Sequence, residues 1–363
     1  MAEKQPGARR SVKGIASAVI LFGATAFFAV GSLVGGDDAR SNPFWRPLLQ
    51  MHDRAALAFG SDAVGNVYIA DGMLLRQAEQ PDENAVLNAA EAVNRFAADA
   101  DISVYMLAIP TSAGIYGDRI SGAAPIANEH AVLHDLSAQL SEQIVWIEAE
   151  SWLSAEKEQY IYYRTDPCWT SYGAYCVYRS AIRRLGFAAV GYDKFSVRHF
   201  RDDYRGRLVQ ESAYNKIQPD IIDLYTLSED PEDITVTVRR SEGREQFDSY
   251  YRLQADDLED DPTRVFFSAA EPVIRVETAH QNSKDLLLLT DRFGAAMIPF
   301  LIHHYHIIDA VNLELTGDTD WSALTTGTYS QILILCGADT VTAPDGLAKM
   351  LKPAPAAAEQ AGT

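Results

Sequence analysis

The run Asp285-Leu-Leu-Leu-Leu-Thr290 constrains the fold of this chain more than any other feature. Four consecutive leucines cannot alternate between core and solvent, so a strand made of them must be buried on both faces, as in a parallel sheet covered by helices. The surrounding pattern agrees. Residues 294–304 read as a helix, Ile307 to Leu313 as a strand, and Gln331 to Cys336 as another. Earlier, Val104 to Pro110 and Val145-Trp146-Ile147 read as strands. The helix periods fall between them, one after Asp82 with Val86, Leu87, Ala90, Val93 and Ala97, the other with Val132, Leu133, Leu136, Leu140 and Ile144. Helix and strand alternate, which predicts an α/β domain with a parallel sheet between helical layers. Apolar residues make up 47% of the 363, enough to fill such a core.

Two segments depart from the alternation. Gly65 to Gly72 reads as a short strand closed by an Asp-Gly turn. Residues 194–280 are rich in Tyr, Val and Thr, alternate at Ile234-Thr-Val-Thr-Val-Arg239, and read as a β-rich insertion. Their acidic turn Asp256-Asp-Leu-Glu-Asp-Asp261 lacks EF-hand spacing and its loop glycine, so it reads as a solvated loop and not a calcium site.

The N-terminus sets the expected location. Residues 1–14 carry Lys4, Arg9, Arg10 and Lys13 against Glu3 alone, a net of +3, which leaves −22 on the remainder of a chain whose formal charge is −19. From Ile15 to Val34 no residue is charged, a length that crosses a hydrocarbon core of ~30 Å as a helix. The positive-inside rule puts 1–14 in the cytoplasm and the acidic bulk on the far side of the membrane. A retained signal-anchor and a signal peptide cleaved after Ala29-Val30-Gly31 both fit, and the length favours retention. The expected order is a basic tail (1–14), a transmembrane helix (15–34), a stem (35–60), the folded domain (61–345) and a tail (346–363) that is Ala/Pro-rich from Pro353 and disordered.

The acidic bulk has no Lys/Arg stripe to meet phosphate backbones, so nucleic acid is not an expected partner. Cys168, Cys176 and Cys336 form no metal-ligand spacing and read as buried small hydrophobes. One disulfide, between Cys168 and Cys336, is conceivable outside the cytosol, because both residues end near the carboxyl edge of the sheet. His303, His304 and His306 fall where a helix leads into a strand and read as surface or capping residues, not metal ligands. No cofactor motif is present.

The most informative segment is Tyr162-Tyr-Arg-Thr-Asp-Pro-Cys-Trp-Thr-Ser-Tyr-Gly-Ala-Tyr175. It resembles the signature of the DHHW family, an Asp, one or two His and a Trp followed by Thr-x-x-Gly-Ala-Tyr. Leu286-Leu-Leu-Leu-Thr-Asp-Arg-Phe-Gly-Ala-Ala-Met-Ile-Pro-Phe-Leu301 resembles the family's strand-Asp-Ser-aromatic-helix element. Further matches at Val67–Leu75, Val104–Tyr116 and Asp220–Tyr225 follow the family's order, so the resemblance spans roughly residues 60–340. It implies a three-layer, flavodoxin-like SGNH-hydrolase fold related to the alginate O-acetylation proteins of the bacterial envelope. It also implies acyl transfer by a serine activated through a histidine and an aspartate.

Carried over residue by residue, those roles are mostly vacant. Asp166 matches the family's aspartate, Cys168 stands where its essential histidine belongs, Pro167 fills the other histidine position, and Arg292 stands where its nucleophilic serine belongs. Trp169 and Asp291 are neighbouring cleft candidates. A thiol of pKa ~8.5 replaces an imidazole of ~6.5 poorly as a base near neutrality. Arginine, always protonated, has no lone pair to attack a carbonyl, and losing a triad member costs ~10⁴ to 10⁶ in turnover.

The leading expectation is therefore a non-catalytic, membrane-anchored envelope protein that binds a cell-surface polysaccharide or another envelope protein. The alternative is an O-acetyltransferase or esterase with a non-standard site, Cys168 being the one candidate nucleophile. Ser171 reads as a helix cap. Trp169 and the cluster Tyr162, Tyr163, Tyr172, Tyr175 and Tyr178 suit either a sugar cleft or core packing. The substitutions also predict an ion pair between Arg292 and Asp166 that plugs the cleft.

Overall fold

The computed structural model describes residues 51, 63–76, 83–120, 128–212, 214–228, 233–240, 243–317, 320–325, 327–344 and 346–351. The expected membrane helix at 15–34 and the stem at 35–60 save for Met51 lie outside these residues, as does the tail from 352 onward; the first part of the tail expected at 346–363 is instead folded, with a short helix at Leu347–Met350 whose Leu347 is buried. Among the described residues no helix is long and apolar enough to cross a membrane.

The chain begins with a small antiparallel meander, β1 (Ala63–Val64), β2 (Val67–Ala70) and β3 (Met73–Arg76). Asp71 and Gly72 both take positive φ between β2 and β3, as an Asp-Gly hairpin turn requires. Helix α1 (Glu83–Ala98) leads to β4 (Ser103–Ile109), α2 (Ser112–Tyr116), α3 (Glu129–Gln139), β5 (Ile144–Trp146), α4 (Glu150–Ala155) and α5 (Ser171–Arg184). The middle of the chain holds β6 (Phe195–Tyr204), α6 (Arg207–Ser212), β7 (Asp220–Leu227), β8 (Ile234–Arg240), β9 (Gly243–Phe247), α7 (Phe267–Ala270) and β10 (Val273–Thr278). The last third is β11 (Lys284–Thr290), α8 (Gly294–Leu301), β12 (Tyr305–Asn312), α9 (Leu313–Thr316), β13 (Gln331–Gly337), α10 (Ala338–Thr342) and α11 (Leu347–Met350).

Eight strands form one sheet in the order β5-β4-β13-β11-β12-β10-β8-β9. The first five run parallel, and β10, β8 and β9 extend the sheet antiparallel from β12. Strand β11 lies at the middle of the parallel part, and Leu286, Leu287, Leu288 and Leu289 are all fully buried. Leu286 and Leu288 pack into the cluster under α5 and α8, while Leu287 and Leu289 pack into the one under α1 and α3. Full burial of one leucine contributes about 1.5–3 kcal/mol, so these four together rival the net stability of an ordinary domain.

The β-rich segment expected at 194–280 divides in two. Strands β8 to β10 continue the main sheet, while β6 and β7 form a separate two-stranded ribbon. Alternation at Ile234, Val236 and Val238 sends those side chains into the same core as Leu286 and Leu288, which is why β8 joins the sheet instead of standing apart.

The entry to α5 differs from the sequence expectation by one residue. Thr170, not Ser171, is the N-cap: its Oγ1 accepts from the Gly173 amide at 3.2 Å and donates to the Tyr160 carbonyl at 2.7 Å. Ser171 instead donates to the Asp223 carbonyl of β7 at 2.7 Å. The glycine of the Thr-x-x-Gly pattern has a steric reason, since a Cβ at Gly173 would lie 2.1 Å from the Ile161 carbonyl oxygen.

A carboxylate sits in the core at the start of α3. Glu129 accepts from the Thr111 amide at 2.7 Å and from its hydroxyl at 2.6 Å, yet burial pushes its carboxyl up to about 7. The folded state thus holds this proton more tightly than the unfolded chain. Its contribution is fully present below about pH 4.5 and is lost as pH rises through about 7.

Two measurements check these points. Gly173→Ala is expected to cost about 1–3 kcal/mol by overpacking, read as a lower urea midpoint, and an unchanged midpoint would show that α5 has room to shift. Glu129→Gln keeps an acceptor and a donor for Thr111 without a buried charge. Its unfolding free energy relative to the parent, read from urea curves, should rise between pH 5 and 8 by on the order of 3 kcal/mol, and a constant difference would refute the buried-proton account.

Candidate functional site

The carboxyl ends of adjacent parallel strands converge, because β4, β13, β11 and β12 run side by side in register, with Thr290 opposite both Asn312 and Leu335. The second residue past each end reaches the same region: Arg292 after β11, Glu314 after β12, Asp339 after β13, the three joined by ion pairs. This edge is where open α/β sheets place their ligands. The signature segment 160–170 folds over it from the α5 side.

Asp220, the first residue of β7, organises that segment. It is fully buried and accepts from the Tyr160 hydroxyl at 2.6 Å, the Arg164 amide at 2.7 Å, the Thr165 amide at 2.9 Å and the Thr165 hydroxyl. Burial raises its carboxyl pKa, and the four donors oppose that rise. The turn so fixed presents Asp166, whose Oδ1 accepts from the Cys168 amide at 3.0 Å. Its Oδ2 accepts from the Tyr204 hydroxyl at 3.2 Å and the Arg207 amide at 3.1 Å, with the Arg207 Nε at 3.7 Å. Trp169 locks the two motif blocks together. Its indole N–H donates to the Phe293 carbonyl at 2.9 Å and its ring meets Phe293 edge-on at 5.4 Å. Trp169 is wholly buried, and this contact accounts for it as core packing.

Asp166, Cys168, Trp169 and Arg292 line a cavity of about 230 Å³, together with Tyr163, Tyr204, Arg207, Asp261, Phe266, Asn312, Glu314 and Leu315 among others. Among the described residues no histidine and no serine lines it. Asp291, expected in the cleft, lies beneath it instead. Its Oδ1 accepts from the Phe293 amide at 2.9 Å, and its Oδ2 from the Gly337 amide at 2.7 Å and the Thr340 hydroxyl at 2.6 Å, tying the β11–α8 turn to α10. Burial pushes its carboxyl up to about 6, with Glu314 adding to the rise.

The expected pair between Arg292 and Asp166 does not form. Arg292 donates to Glu314 at 2.6 Å and to Asp339, while Asp166 is held by Arg207 and Tyr204. Glu314 and Asp339 lie in the first turns of α9 and α10, which leave the two strands adjacent to β11, so the guanidinium reaches them along the sheet edge before it can cross the cleft. Burial alone would lower the Arg292 pKa, but Asp339 and Glu314 outweigh it and hold the group well above its ordinary value. Asp339 is in turn held below the ordinary carboxylate range, where Arg292, Arg76 and Arg207 overcome its desolvation. Arg76 extends the network to Glu211. None of Arg76, Arg207, Glu314 and Asp339 was singled out from sequence. A charged residue within three positions of the end of a predicted parallel strand, as in Asn312-Leu313-Glu314 and Gly337-Ala338-Asp339, is the signal that finds the last two.

Burial, followed by the Asp166 carboxylate, pushes the Cys168 thiol well above its ordinary pKa, and the two nearby arginines fall short of reversing it. Cys168, Cys176 and Cys336 are all free and buried. Cys168 and Cys336 pack into cores on opposite faces of the sheet, so the conceivable disulfide is not formed. The histidine cluster sits at the amino end of β12, away from the cavity. His304 meets the Tyr178 hydroxyl at 2.6 Å and His306 lies 3.1 Å from Asp285.

Comparison with known proteins places this geometry. Residues 66–235 match the family model described as an SGNH hydrolase-like domain, acetyltransferase AlgX. A DHHW family protein from Eubacterium siraeum superposes with a TM-score of 0.66 at 19% identity, covering 80% of this chain and 96% of that one. PatB1 of Bacillus cereus does so with a TM-score of 0.64 at 16% identity, covering 79% and 98%. At these identities the two structures speak for the fold alone. No curated protein matches the chain by sequence. The strand-end cavity and the two motif blocks in contact across it accompany a match of residues 66–235 to the SGNH hydrolase-like domain model of acetyltransferase AlgX, in a chain that shares its fold with a DHHW family protein.

Proposed function

We propose that this chain is a non-catalytic SGNH-like protein of the bacterial cell envelope, exported and anchored by residues 15–34, whose strand-end cavity binds a cell-surface polysaccharide. The lining of that cavity carries the reading. The position of the family's serine holds Arg292, clamped by Glu314 and Asp339, and the position of its histidine holds a buried thiol. An acyl transfer needs a nucleophile with a free lone pair and a base able to take its proton near neutrality. A guanidinium offers neither. The Cys168 thiol, raised by burial and by Asp166, stays protonated, and among the described residues no imidazole lines the cavity to relieve it.

The acetyltransferase in the name of the matched family favours a second reading, in which the chain transfers or hydrolyses O-acetyl groups through a non-standard site. The choice turns on positions 168 and 292. Hydrolysis of p-nitrophenyl acetate is measured for the full chain, for Cys168→Ala and for Cys168→His/Arg292→Ser, with melting curves to confirm that each is folded. The restored double variant is expected to lose some stability, since Glu314 then loses its cation and Asp339 keeps only the more distant Arg76. The parent is expected to be no faster than Cys168→Ala, and the double variant faster than both. Parent activity that disappears in Cys168→Ala would overturn the non-catalytic reading and make the protein a cysteine-dependent acyl enzyme.

A further inference from the structure

The strand-end cavity does not stand alone. A second, larger cavity of about 530 Å³ shares Tyr204, Arg207 and Asp261 with it, so the two meet across the start of α6 in one groove. Its formal charge is unbalanced. Six carboxylates line it, Asp166, Asp203, Glu259, Asp260, Asp261 and Glu314, against the four guanidiniums of Arg201, Arg205, Arg207 and Arg292.

The arginines are also committed. Arg201 pairs with Asp203 at 2.9 Å and Glu259 at 3.2 Å, and Arg292 with Glu314 at 2.6 Å and with Asp339 behind the cavity wall. Arg207 lies 3.7 Å from Asp166, and Arg205 donates to the carbonyls of Asn215 and Ile217 at 3.1 Å. Asp260 and Asp261, by contrast, have no cation within ion-pair distance among the described residues; Asp261 accepts only from Thr263 at its Oδ1. An anionic sugar entering this groove would meet surplus negative charge and guanidiniums already engaged. A protonated amine would meet free carboxylate oxygens. Phe266, Ala295, Ala296 and Leu315 supply an apolar wall for the C–H face of a sugar ring.

Resting on the reading of the cavity as a polysaccharide site, we infer that the groove selects a glycan bearing free amines, of the glucosamine type, and rejects polyuronates. Charge at the groove decides this selectivity, with Asp261, at the point where the two cavities meet, and Glu314, on the wall of the smaller one, as its determinants. The effect weakens with added salt, because Asp261 and Glu314 are exposed.

The test is isothermal titration of the full chain with three tetrasaccharides, at a pH where the amines are protonated: glucosamine tetramer, its fully N-acetylated and therefore neutral counterpart, and tetragalacturonate. The amine tetramer is expected to bind most tightly, the neutral one more weakly and the uronate least. Asp261→Asn/Glu314→Gln keeps the hydrogen-bond acceptors toward Thr263 and Arg292 and should weaken the amine tetramer roughly three- to tenfold. The distal exposed pair Asp101→Asn/Glu142→Gln should leave it unchanged. Tighter binding of the uronate or the neutral tetramer overturns the charge selectivity while leaving a glycan site in place. Equal loss in the distal variant also overturns it, because general acidity then explains the attraction. If none of the three binds, the glycan-binding reading itself falls.

Discussion

Strand β11 is buried on both faces along four consecutive leucines, and the rest of the architecture accommodates that requirement. A strand with no solvent face needs a paired strand on each edge and a covering layer above and below. Here β13 and β12 supply the edges, α5 and α8 one layer, α1 and α3 the other. Because the neighbours on both sides are parallel, their carboxyl ends emerge together, and the turns leaving them crowd into one place. The cavity is a consequence of that crowding.

What fills the crowded edge is a charge network. Arg292 lies between Glu314 and Asp339, Asp339 reaches Arg76 as well, and Asp166 leans on Arg207. Each buried charge is tolerable because its neighbour has the opposite sign; breaking such a pair leaves an uncompensated ion, whereas making it costs desolvation on both sides. The network therefore reads as a device for holding the strand-end turns in register. The carboxylates left over at the rim give the groove its excess of negative charge.

Much of this was visible in the residue pattern. The strands ending at Ile109, Thr290, Asn312 and Gly337 lie within a residue or two of where periodicity put them. Local chemistry misled where two similar residues compete for one role. Thr170 and Ser171 are both good caps, and only the position of β7, whose Asp223 carbonyl takes the Ser171 hydroxyl, decides between them. The insertion at 194–280 was recognisable as β-rich, but alternation does not say which sheet a strand joins. The Arg292–Asp166 pair failed for a related reason, since the two positions share a cavity but not a strand edge.

The sequence by itself determined the doubly buried strand, the layered α/β arrangement, the two motif blocks and the identity of the residues at positions 166, 168 and 292. These follow from side-chain period and composition, which act over a few residues. Tertiary structure alone decided that Trp169 is spent on Phe293, that Asp220 anchors the signature turn, and that Arg292 belongs to Glu314 and Asp339. Those choices depend on which strand ends lie side by side, and a guanidinium pairs with the carboxylate nearest in space, a distance that no linear spacing encodes.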